Sequence, residues 1–185
     1  MRRIKKNKPK TPTDSAVESR YLVMPNHANP YGTAFGGAIV AWIDMVGSMA
    51  AHKHCQKEVV TAAIDSLNFK EPIYIGDQVV LKASVNYVGK TSMEVEVQVI
   101  KEEPSTGRTN LATTAYLTYV ALGKNKKPAP AGPLTPGTAL EKTRYEQARL
   151  RVRARKELLK KIQSASGGPI KPETLKQNRN RLPNT

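Results

Sequence analysis

Cysteine is nearly absent. Cys55 is the single one in 185 residues, so the chain can close no internal disulfide and build no cysteine-rich metal site. A reducing cytoplasm is the expected compartment. Long apolar runs are missing as well, and nothing approaches the ~18–20 residues that cross a bilayer. The basic start MRRIKKNKPK is not followed by the apolar segment of a secretory signal. Pro9 and Pro12 speak against the amphipathic helix of a mitochondrial presequence. Acid is in short supply: 15 Asp+Glu stand against 30 Lys+Arg, for a net charge of +15 and a pI near 10.0. Taken as an average, that points to a nucleic-acid binder or a half-disordered chain.

The average hides a segregation. Residues 1–18 carry 6 basic and 2 acidic side chains, residues 19–123 carry 8 and 9, and residues 124–185 carry 16 and 4. A nearly neutral body of about 105 residues, one domain's worth of core, thus lies between two cationic segments. Residues 1–18, rich in Lys, Pro and Thr, read as a disordered basic arm. Residues 124–137 (KNKKPAPAGPLTPG) read as a linker, 138–164 as a basic helix, and 165–185 as a disordered tail. Thr138 and Glu141 have capping-box spacing for that helix.

Within the body, Tyr21-Leu22-Val23-Met24 is a short apolar stretch stopped by Pro25. Asn26 to Gly37 (NHANPYGTAFGG) is dense in turn formers and must be a loop. Ala38 to His52 reads as a helix apolar on nearly every face, and so wrapped by other structure on most sides. Gly47 lowers its propensity by ~1 kcal/mol relative to Ala, which implies something packed close by. Four strand-like segments follow, Val59–Phe69, Asp77–Val88, Ser92–Glu102 and Thr109–Leu122. In the third, Met93, Val95, Val97 and Val99 alternate with Glu94, Glu96 and Gln98. Turns at Gly89-Lys90-Thr91 and Pro104 to Gly107 fit antiparallel hairpins. One long buried helix with such strands predicts an α+β fold, a curved antiparallel sheet wrapped around the helix, plus a basic C-terminal helical extension.

The chemistry concentrates at the loop–helix junction. Gly36-Gly37 open the helix, where unpaired N–H groups and the helix dipole favour a carbonyl oxygen or a developing oxyanion. Asp44, the only charge inside the apolar helix, is costly there unless it has partners or a task. The residues alone leave alternatives: Asp44 bonding Ser48, a neighbouring loop or a group from another subunit; Gly36-Gly37 as tight packing; Asn29 as an Asx turn before Pro30.

The string N-P-Y-G-T-A-F-G-G-A-I-V-A-W-I-D resembles the Asn-x-x-Gly-x-x-(Phe/His)-Gly-Gly-x6-Asp signature of hot-dog acyl-CoA thioesterases. The branch is the one with brain acyl-CoA hydrolase and short bacterial acyl-CoA thioesterases. The similarity continues in V-V-T-A-A-I-D-S-L-N-F-K-E-P-I-Y-I-G-D and V-G-K-T-S-M-E-V-E-V-Q-V, covering about Tyr21 to Leu122 in order. The resemblance implies a hot-dog fold and hydrolysis of acyl-CoA to free fatty acid and CoA. Asp44 takes the place of the general base or nucleophile, Asn29 that of the residue orienting water or substrate, and Gly37 that of the oxyanion donor. Gly36 and Phe35 lie beside it as substrate-binding residues. The turn Gly89, Lys90, Thr91 and Ser92 matches a site near the CoA nucleotide or phosphates. Catalytic Asp and Asn come from opposite subunits in the family, which implies at least a homodimer and, in this branch, a trimer of dimers. CoA is part of the substrate, so no cofactor is expected, and no metal.

Other features fit less well. His52 and His54 are two apart near the helix end and His27 lies off the matched position, so no metal site is expected. Cys55 has no His–Asp partners for nucleophilic catalysis. Asp65 matches a family position facing the active region. Phe35, Trp42, Met45 and Met49 are the candidates for lining an acyl tunnel. The basic tails suit RNA, an anionic membrane or CoA phosphates, and an alternative reading is a non-catalytic acyl-CoA sensor whose tail contacts nucleic acid. A dehydratase would need a histidine near Asp44, and the helix offers none there.

Overall fold

The computed structural model describes residues 9–165. The expected features of residues 1–8 and 166–185 lie outside that range. The elements run α1 (Pro12–Ser15), β1 (Val17–Leu22), a 3-10 turn (Pro25–His27), α2 (Gly36–Cys55), β2 (Glu58–Ile64), β3 (Gln78–Val88), β4 (Ser92–Glu103), β5 (Arg108–Leu122) and α3 (Ala139–Ala165). The strands form one antiparallel sheet in the order β1-β3-β4-β5-β2. The sheet curls around α2, which packs against all five strands. This is the expected α+β hot-dog architecture.

The valine alternation in β4 sets the inner face. Met93, Val95, Val97 and Val99 are fully buried, and with Val79, Leu81, Val85, Ala115, Leu117 and Tyr119 they meet Ile39, Ile43, Val46, Ala50 and Ala51 of α2. Burying each of the Val, Leu, Ile and Met side chains among these contributes roughly 1.5–3 kcal/mol. The helix ends at Gln56, which turns left-handed (φ 52°) and donates its N–H to the His52 carbonyl at 2.8 Å. The segment read as one strand over Val59–Phe69 leaves the sheet after Ile64, although Lys70 N–H still reaches the Ala112 carbonyl at 3.0 Å. As expected, α2 is wrapped by other structure on most sides. Within one chain Ala41, Met45 and Met49 remain exposed on one side.

The reading of residues 1–18 as a disordered arm is corrected from Pro9 onward. Thr11 and Asp14 form a capping box around α1. Ser15 is buried, and its hydroxyl donates to the Pro12 carbonyl while accepting the Val85 N–H at 2.9 Å. Lys10 Nζ donates to the carbonyls of Lys53 and His54 at 2.6 and 2.9 Å, where a cation suits the end of α2. The segment 124–137 is likewise docked rather than loose. Ala131 is fully buried, its N–H reaching the Lys90 carbonyl at 3.2 Å, and Thr135 N–H reaches that of Lys10 at 2.8 Å. Proline-rich chain cannot join a ladder at every residue, but its carbonyls and intervening amides bond readily to an edge.

Polar residues fill the other face of the sheet. Glu96, 5% exposed, accepts from Asn86 Nδ2 at 2.9 Å and Gln98 Nε2 at 3.1 Å, and lies 3.6 Å from the Arg144 guanidinium. Tyr145 tilts against Tyr87 at 5.3 Å. Glu141 ties α1 to the start of α3. It accepts from Thr13 N and Oγ1 at 3.0 and 2.7 Å, from Gly137 N at 2.7 Å and from Thr138 N at 3.0 Å, and its own N–H donates to Thr138 Oγ1 at 3.1 Å.

The chain divides into two units, Met1–Ala148 and Arg149–Thr185. The described part of the second is the continuation of α3. It carries Arg149, Arg151, Arg153, Arg155, Lys156, Lys160 and Lys161, with Leu150, Leu158, Leu159 and Ile162 exposed. Among the described residues no helix is long and apolar enough to cross a membrane.

Glu141 supplies a test of this clasp. Its partial burial pushes the carboxyl upward, but the donors from Thr13, Thr138 and Gly137 outweigh that and hold it at about 2. A depressed carboxylate stabilises the fold above its unfolded value, and that contribution disappears as pH falls through the folded one. Glu141→Gln should therefore lower stability by about 2 kcal/mol near neutral pH. In thermal melts the gap between variant and parent should close as pH drops from the ordinary carboxylate range towards 2.

Candidate active site

The loop before α2 is built on Asn29. Its Oδ1 accepts from the amides of Tyr31 (2.9 Å) and Thr33 (3.3 Å), and its Nδ2 donates to Thr33 Oγ1 at 2.8 Å. This is the Asx-type turn that the residue pattern allows. Backbone bridges Ala28–Ala34 and Thr33–Tyr74 fasten the loop. His27 is structural: its Nδ1 accepts the Met24 N–H at 3.1 Å and its ring meets Trp42 edge-on at 5.0 Å.

Phe35 is the residue before the first turn of α2, and its carbonyl takes the amides of Ala38 and Ile39. Those of Gly36 and Gly37 precede the first helical bonds and are the ones a ligand oxygen can use. A Cβ on Gly37 would collide with the Phe35 ring, which lies over this position and is 60% exposed. Beside Gly36 a cavity of about 170 Å³ is lined by Thr33, Ile39, Phe69 and Ile73.

Asp44 follows two turns later, half-buried. Its Oδ1 accepts from Thr61 Oγ1 at 2.7 Å and lies 3.1 Å from the Tyr119 hydroxyl, which is also 2.9 Å from the Asp44 carbonyl oxygen. Thr61 and Tyr119 are direct partners across β2 and β5, and the β2 register shifts between Thr61 and Ala63. Such a bulge beside a site re-aims a side chain. Burial, with the Asp44 charge beside it, pushes the Tyr119 phenol above its usual value, so it is a donor at all working pH. Ser48 is not the partner of Asp44, since its hydroxyl donates to the Met45 carbonyl at 2.7 Å. Sequence reasoning passed over Thr61 and Tyr119 because both look like ordinary strand formers. The one signal was Gly47, whose missing Cβ makes room for the Tyr119 hydroxyl.

The remaining residues divide. Trp42 is committed to the core, stacked on Tyr21 at 4.7 Å, whereas Met45 and Met49 are exposed beside Asp44. Gly89 N–H closes the β3–β4 turn on the Ser92 carbonyl, Ala121 N–H reaches the Thr91 carbonyl, and the Lys90 side chain is exposed. Asp65 stands just past β2, its N–H on the Tyr116 carbonyl. Cys55 is buried and burial pushes its thiol up, which weakens it as a nucleophile. Buried His54 is pushed down by desolvation. Among the described residues no group of His, Cys, Asp and Glu could hold a metal ion.

The surface of α2 and of the edge strand β2 is apolar and bare: Phe35, Met45, Met49 and Ile64 are 41–60% exposed, and Val60, 47% exposed, lies on the opposite face of β2 from Thr61. A half-open carboxylate, amides at a helix start and an apolar surround can polarise water, hold an oxyanion and accept an acyl chain.

A family model described as Thioesterase superfamily matches residues 31–107. An uncharacterized acyl-CoA thioester hydrolase of Bacillus subtilis, YkhA, is 42% identical over 143 residues, 77% of this chain and 83% of the relative. The acyl-CoA hydrolase of Staphylococcus aureus, solved with butyryl-CoA, CoA and CoA disulfide, superposes with a TM-score of 0.79 at 36% identity, over 86% of this chain and 96% of that one. The S. aureus protein has also been solved with a threonine, an aspartate or an asparagine changed to alanine. A hexameric acyl-CoA thioesterase matches at 0.79 and 38% identity, over 82% and 97% of the two chains. With the curled sheet, the glycine-led helix and these likenesses together, the chain belongs to the hot-dog family of acyl-CoA thioester hydrolases.

Proposed function

We propose that this protein hydrolyses acyl-CoA in the cytoplasm, releasing a free fatty acid and CoA. The observation that carries the reading is the Asp44 carboxylate, held through Oδ1 by strand hydroxyls two turns behind the Gly36-Gly37 helix start. Among the described residues no donor reaches Oδ2, which is the oxygen left to act. As a base, Oδ2 takes a proton from water while the water oxygen bonds to the thioester carbon. The Gly37 N–H receives the oxyanion, with Gly36 and Phe35 bounding the acyl group, and collapse of the intermediate expels the CoA thiolate, which is then protonated. As a nucleophile, Oδ2 attacks the carbon itself, the C–S bond breaks to release the CoA thiolate, which is then protonated, and water hydrolyses the mixed anhydride left on Asp44. Asn29 retains one N–H of its amide for water or substrate beyond the bond to Thr33. The separations in sequence between Asn29, Asp44 and Thr61 equal those between the residues changed in the S. aureus variants, which supports the assignment. The turn Gly89, Lys90, Thr91 and Ser92 is assigned to the CoA nucleotide, with Lys90 as a phosphate contact.

The assembly is a homo-oligomer, a dimer at least and a trimer of dimers as the complete form. The bare face of α2 and the open edge of β2 support this, since edge strands are otherwise protected. A second copy covering them would enclose Asp44 and bring the Asn29 loop of one chain towards Asp44 of the other.

Two measurements test the reading. In a chain-length series the intact protein should release thiol and free acid in equal amounts from at least one class of acyl-CoA, and silence across the series would reject hydrolysis. Val60→Glu, placed on the β2 edge, should reduce the particle mass in analytical ultracentrifugation and cut turnover at least tenfold. An unchanged mass and rate would reject the shared site.

A further inference from the structure

Resting on the assignment of Asp44 as the reacting carboxylate, we infer that Tyr119 is a positioning residue, kept in place by the gap at Gly47, that decides which oxygen of Asp44 meets the thioester. Tyr119 is fully buried on β5, paired with Thr61 on one side and Met93 on the other. Its hydroxyl lies 2.9 Å from the Asp44 carbonyl oxygen and 3.1 Å from Oδ1. One proton is thus shared between the backbone and the side chain of the same residue, which restrains rotation of that side chain. The Thr61 hydroxyl takes Oδ1 as well, at 2.7 Å. Two donors on one oxygen favour a single carboxylate orientation and direct the other oxygen outward. Holding a reacting group in its productive geometry lowers the barrier without altering how tightly substrate binds.

Gly47 is the second half of the device. A Cβ there would stand 2.6 Å from the Tyr119 hydroxyl oxygen and 3.3 Å from two ring carbons. Tyr119, locked in the sheet by both neighbouring strands, has little room to retreat. A mid-helix glycine costs ~1 kcal/mol relative to alanine, and here it admits the hydroxyl to the carboxylate. Among the described residues, Asp44 is the charged group that acts on this phenol, and Thr61 is the other hydroxyl that bonds to it.

Tyr119→Phe removes one oxygen and keeps the ring. It should lower kcat about tenfold, the scale of one lost hydrogen bond to a charged group, with KM changed less than twofold. Gly47→Ala should reproduce this loss of kcat at nearly unchanged KM, and Gly47→Ala with Tyr119→Phe should be no worse than Tyr119→Phe alone. An unchanged kcat in Tyr119→Phe, or a KM that rises as far as kcat falls, would overturn the inference, as would additive losses in the double variant. Should Tyr119→Phe not fold, Gly47→Ala alone should still lower kcat with KM changed less than twofold, and an unchanged kcat there would overturn it. Failure of the underlying reading looks different, since the parent protein would then release no thiol from any acyl-CoA.

Discussion

A carboxylate on a helix that is otherwise apolar needs donors from outside that helix, and here two strands supply them. Thr61 on β2 and Tyr119 on β5 meet at Oδ1 of Asp44, so the site exists only when α2 is seated in the curl of the sheet. The valines of β4 and the Ile and Ala side chains of α2 fix that seating. Gly47 lets the Tyr119 hydroxyl pass, and the β2 bulge swings Thr61 to the same point. Core packing and site geometry are therefore one construction: the contact that fills the core is also the contact that aims the carboxylate.

The opposite face of the sheet answers a different demand. Polar residues that alternate with the β4 valines would face water in a bare two-layer fold. Instead Glu96 is buried under Asn86, Gln98 and Arg144, while Glu141 joins α1 to the start of α3. Buried carboxylates persist only with such partners. The terminal segments thus complete the domain, and the bare apolar side of α2 and β2 is left as the face that a second copy can cover.

Much of this was legible in the chain. Alternation in Met93 to Val99 marked the inner face, paired glycines marked the helix start, and the Asn29–Asp44 spacing carried the family likeness. Gly47 signalled a close neighbour without naming it, because the neighbour is 72 positions away on another element. Thr61 and Tyr119 were illegible for the same reason: hydroxyls on strands acquire meaning only when the register aligns them. The ordered stretch from Pro9 and the docked segment 124–137 were missed because composition reads Lys and Pro as disorder, whereas the order comes from single long-range bonds such as those of Lys10 and Glu141. The basic residues after Arg149 follow no rule of the core, and their charge was plain in sequence though their partner was not.

The central claim is that the Asp44 carboxylate performs the hydrolysis. Steady-state thiol release by Asp44→Asn, an isosteric change, tests it most directly, with assembly mass checked against the parent. The account predicts a loss of at least about a hundredfold, the usual scale for a missing general base, in an oligomer of unchanged size. A rate within a few-fold of the parent would contradict it.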